Sequence, residues 1–319
     1  GYSSTGTITA TGQAITITGT TTTETGIYTT GAINGGAVTL SSTQSTSTAT
    51  LRTVYITGLI TANSLTVNAS GGASSTNVTL GAITINVGGG NISVTANNAA
   101  AGANTGIDQT GAITNNAIGS SIGFTSNNKI SQTGAIALVA NTGTSAANIT
   151  YDTTTGNNTS TITSAVPTVT GTSTVAINYI VKSNGAILSV PAVTVPGYIL
   201  LDNTCVGCAT RTTTSTAATN GAAIAITGAL SAGTLAGSTG VTINAVANGS
   251  GVGFNQAANT ITSSAGGVTI TSSSQTGTAY YSTGNIVASG QAITITTTTT
   301  TAAGIDDTGT ISGGAVGLS

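Results

Sequence analysis

Charge is nearly absent from this sequence. Its 319 residues include four Lys or Arg and six Asp or Glu, 3% of the chain, against roughly 25% in ordinary soluble domains. The cations Arg52, Lys129, Lys182 and Arg211 are too few and too dispersed to neutralise a nucleic-acid backbone, so no nucleic-acid partner is expected. His, Trp and Met are missing, and the aromatics are eight Tyr and two Phe. So few large side chains argue against a single globular core. No apolar run is long enough to span a membrane, and no signal peptide is visible. The missing Met implies a processed or excised piece of a longer chain. Low charge does not mean disorder here, because Pro is also scarce and mean hydropathy is positive, +0.33. A net charge of only −2 fits a part of an assembly better than a freely dispersed protein.

Small residues fill the space instead: 72 Thr and 45 Gly. Residues 2–41 align without a gap on residues 280–319, at an offset of 278, with 28 of 40 pairs identical. The match includes Gly12–Thr18 against Gly290–Thr296 and Gly35–Val38 against Gly313–Val316. The expected organisation is therefore one full repeat unit over 1–278, with 279–319 as the start of the next.

A shorter period lies inside the unit, where a Gly followed by an apolar residue opens a Thr/Ser/Ala-rich run. The marks are Gly6, Gly31, Gly58, Gly81, Gly111, Gly134, Gly185, Gly228, Gly284 and Gly309. Taking the three long gaps as double turns gives about 25 residues per turn and about 11 turns per unit. Within each turn apolar and small polar residues alternate, as in Ala14-Ile15-Thr16-Ile17-Thr18 and Val268-Thr269-Ile270-Thr271. Period two in Val, Ile and Thr predicts half-buried strands, with Gly, Asn and Ser closing the corners. The expected fold is an all-β parallel β-solenoid, or β-helix, whose inward Ile and Val stack along the axis.

The repeated Ala-Ile-Thr-Ile-Thr and Gly-Gly-Ala-Val strings resemble the β-helical shafts of large bacterial surface exoproteins of the filamentous-haemagglutinin and adhesin kind. That resemblance implies an extracellular or cell-surface location and a structural, adhesive or biofilm-matrix role. It also implies partners that are copies of the chain itself, end to end or side by side, or surface glycans.

Other features compete with this reading. Residues 165–212 carry all three prolines, Pro167, Pro191 and Pro196, and predict an irregular insert. Cys205 and Cys208, the only cysteines, have CxxC spacing. A local disulfide, half of a metal site and a redox motif are all open, with the disulfide preferred because no His or further Cys could complete a zinc site. The acids Glu24, Asp108, Asp152, Asp202, Asp306 and Asp307 are scattered, and Asp306 and Asp307 should point to opposite faces of a strand. No paired-carboxylate site is expected, hence no enzyme, no cofactor and no metal. The Tyr residues are read either as surface binding handles or as packing at the ends and corners of a narrow core. The Thr runs at 20–23 and 296–301 raise the alternative of an ice-binding face, and a polysaccharide-acting β-helix enzyme is the weaker alternative. Turn lengths varying from 23 to 30 should break such an array.

Overall fold

The structure, a computed structural model of the chain, describes residues 1–45, 52–71, 76–99, 104–156, 160–204, 222–235, 238–247 and 250–319. These residues form strands and no helix. Each turn supplies three strands to three faces of a prism. In the first turn these are Tyr2–Ser4 on the first face, Ile8–Ala10 on the second and Ile15–Thr21 on the third. The next turn places Ile27–Thr29, Ile33–Gly35 and Ala37–Gln44 directly above them, paired parallel. The chain is an all-β parallel β-solenoid.

Alternation decides which side chains go inside. On the second face Ile33, Ile60, Ile83, Ile113 and Ile136 stand above one another on successive turns, all at 0% exposure. On the third face Val38, Leu65, Ile92, Ile122 and Ile149 form a parallel column. One continuous apolar core therefore runs the length of the coil. Each turn contributes a few branched side chains, and length replaces width as the source of burial. Ile15 and Val268 point inward, as their alternation predicts.

The glycine marks have a steric cause. All but Gly185 sit where the chain leaves the first face for the second, and there they stack so closely that a Cβ on Gly31 would overlap the Gly6 carbonyl. A Cβ on Gly58 would meet the Gly31 carbonyl, and one on Gly134 the Gly111 carbonyl. Only a residue without a Cβ fits.

Turn length departs from expectation. The first-face ladder from Tyr2 to Tyr280 passes through ten successive pairings, so 278 residues make about ten turns of about 28 residues, not about eleven of about 25. Gly185 caused the overcount. It precedes Leu188–Val190, a first-face strand, whereas the other marks precede second-face strands. Between Gly134 and Gly228 the second face has strands at Ile136–Val139, Pro167–Thr170, Val193–Thr194 and Leu230–Ala232, which are three steps where four were counted. The repeated residues do occupy equivalent places: Ile8 and Ile286 on the second face, Ile15 and Ile293 on the third.

The proline-rich stretch alters one face and spares the others. Pro167 takes the rung above Ile136, and the second-face ladder stops there: Pro167–Thr170 does not pair with Val193–Thr194. The first and third faces continue without interruption through the same turns. Cys205 and Cys208, and with them the expected disulfide, lie outside the described residues.

Candidate functional surface

The interior has a polar seam. At the corner between the first and second faces, Gln109 donates to the carbonyls of Gly81 (3.1 Å) and Gly111, and Gln132 donates to the Gln109 side-chain oxygen (2.9 Å). The Tyr151 hydroxyl and the Ala165 amide both donate to the Gln132 oxygen, each at 2.9 Å. Two further tyrosines repeat the arrangement, Tyr179 against the Ser164 hydroxyl (2.5 Å) and Tyr280 donating to Gln256 (2.7 Å). The rings pack on one another: Phe124 on Tyr151 at 5.5 Å, Tyr151 on Tyr179 at 5.9 Å, and Phe254 on Tyr280 at 5.8 Å. Burial, the largest cause in each case, holds all three hydroxyls protonated well above the usual tyrosine range. Tyr179 next to Tyr151 adds to the effect there, while Ser164 and Ser282 oppose it at Tyr179 and Tyr280. These groups are structural polar contacts buried within the apolar core.

Tyrosine divides between inward and outward positions. Tyr151, Tyr179 and Tyr280 are core residues, whereas Tyr28 and Tyr55 stand outward on the first face, stacked at 5.2 Å, with the Arg52 guanidinium 4.6 Å from the Tyr55 ring centre.

The acids do not converge as a catalytic pair. Asp108 and Asp306 point outward on separate turns of the first face, and Asp307 accepts the Gly309 amide at 3.0 Å. Asp152 and Asp202 lie on the third face with Lys182 on the rung between them. Each takes the amide and hydroxyl of the Thr two residues on, Thr154 or Thr204. Among the described residues no three His, Cys, Asp or Glu gather closely enough to hold a metal ion.

Most of the outer surface is a ladder of small polar groups. On the third face Thr16, Thr39, Thr66 and Ser93 occupy one outward column, and Thr242, Thr269 and Thr294 resume it further along. Variable turn length does not disturb this register, because the extra residues are taken up at corners. What interrupts the column is its own sequence: Gly123, Ile180 and Leu200 stand in it. Where the second-face ladder breaks, an apolar cleft of about 610 Å³ opens, lined by Val166, Pro167, Val169, Val195 and Pro196 among others.

Set against known proteins, the chain matches no family model, no curated protein and no solved structure. Its likeness to β-helical shafts is a likeness of architecture.

Proposed function

We propose that the chain is a structural segment of an extracellular or cell-surface filament built from tandem solenoid units, acting mechanically or in adhesion and biofilm matrix, without catalysis. The observation that carries this reading is the ladder itself. Twelve first-face strands hydrogen-bond in one parallel series along the axis, over one continuous apolar core. Such an array extends by adding turns, and every added turn buries the apolar edge of the one before. Very low charge lets neighbouring filaments approach without repulsion. The likeness to bacterial exoprotein shafts supports the location and the adhesive role.

The test is electron microscopy of the native assembly. With strands about 4.8 Å apart, ten turns give an axial repeat of about 48 Å. Filaments with that repeat support the reading; discrete particles, or strands running along the axis, overturn it.

The Thr columns on the third face favour ice binding as a second reading. Thermal hysteresis in freezing solutions of the protein decides it, since a structural filament produces none.

A further inference from the structure

The third face is chemically uniform except over four consecutive strands, Ala147–Thr153, Ile177–Ser183, Ile199–Asp202 and Val241–Ala247. Two columns of outward residues run through all four strands. One reads Thr150, Ile180, Leu200, Thr242; the other reads Asp152, Lys182, Asp202, Asn244. Three of the ten charged residues of the chain therefore stand on adjacent rungs, alternating in sign, beside the only two large aliphatic side chains of that outward column. Lys182, Leu200 and both acids are partly exposed, and Ile180 is sunk to 9%.

The order of these residues is self-complementary under reversal. A two-fold axis lying in the face, along the strand direction and midway between the Lys182 and Asp202 rungs, keeps each column opposite itself and inverts the order of turns. Thr150 then meets Thr242 of a second copy, and Ile180 meets Leu200. In the charged column Lys182 meets Asp202, and Asp152 meets Asn244, whose amide already donates to Asp202 at 3.3 Å within its own chain and has a second hydrogen to give. A parallel packing about a two-fold axis running along the charged column does the opposite, setting Lys182 on Lys182 and each acid on its own copy.

We propose that this patch is an isologous interface through which two copies of the chain pack face to face and antiparallel. The proposal deepens the filament reading, resting on it only for the expectation that copies lie side by side. Beyond the four rungs the facing residues of the charged column are uncharged, such as Thr125 against Thr271, so among the described residues of that column no like charges meet as the contact extends. Four rungs alone cover well under the roughly 800 Å² per partner of a stable complex. The association is therefore weak, concentration-dependent and weakened by salt.

Sedimentation equilibrium of the full chain at low salt tests it, with circular dichroism melting as the control for folding. The wild type should dimerise reversibly. Lys182→Glu places a carboxylate opposite Asp202 twice over and should weaken the dimer by about tenfold or more. The double variant Lys182→Glu with Asp202→Lys should restore it, because each new charge faces the other across the axis. A wild type that stays monomeric overturns the proposal. So does a dimer indifferent to Lys182→Glu, or a folded double variant that fails to recover. The filament reading falls separately, on the absence of the axial repeat.

Discussion

At the scale of single residues, sterics and solvation set the rules. Gly134 sits with its Cα against the Gly111 carbonyl of the turn below, and an added methyl has nowhere to go because the obstacle is backbone. Gly134→Ala must therefore push two turns apart, and the expected cost is about 3 kcal/mol, read as a lowered midpoint in urea. The buried tyrosines make stability depend on pH in one direction. A Tyr in the unfolded chain ionises near pH 10, while burial holds Tyr151, Tyr179 and Tyr280 neutral to higher pH. The folded chain thus keeps protons that the unfolded chain sheds. This contribution is fully present below about pH 10 and is lost as pH rises through the higher folded values. Denaturant midpoints should be flat in pH just below that range and fall above it. Tyr179→Phe should flatten part of the fall, and an unchanged profile in a variant lacking all three hydroxyls would remove the cause named here.

At the scale of the strand, most of the fold was legible. Runs such as Ile15–Ile17 and Val268–Ile270 carry their own facing in the alternation of Ile or Val with Thr, and the structure places those residues inward. The parallel coil followed from the shortness of the runs and the recurring Gly. Turn number was legible only in part. A Gly can mark any corner, and Gly185 marks a different one from Gly134 and Gly228, with a left-handed backbone (φ 73°). Its role depends on which face follows, and that is fixed by long-range pairing. The candidate surface was less visible still. Asp152, Lys182 and Asp202 are separated by 30 and 20 residues, and only the unequal corners bring them onto consecutive rungs. Scattered charge in the sequence thus becomes a column in the fold. The aromatic seam is similar: Tyr151 and Gln132 are 19 residues apart on different faces and meet only across the core.

At the scale of the whole molecule, stability is a sum over neighbouring turns, so the weakest junction sets where the coil opens first. That junction is visible in the hydrogen bonds. The amides of Val193 and Val195 donate to Ala229 and Ser231 on the turn above, which turns the Thr194 amide toward the turn below. There, the Thr170 carbonyl accepts from Ala140, further down. Successive residues of a strand point their backbone groups to opposite sides, so Val169 faces up toward Thr194. The two strands do not pair, and the apolar cleft lies over the gap. By contrast, Ile113–Asn115 is paired on both sides, to Ile83–Ile85 and to Ile136–Val139. Hydrogen exchange under native conditions should find the Val169 and Thr194 amides exchanging well ahead of the Ile113 and Ile83 amides, which are held in the intact part of the same face. Limited proteolysis should make an early internal cut close to the same gap. Equal protection at Val169 and Ile113 would mean that the second face is continuous and that the prolines interrupt nothing. Fast exchange confined to the gap would mean that the first and third faces hold the coil together across it, which a solenoid with three ladders can do and a single sheet cannot.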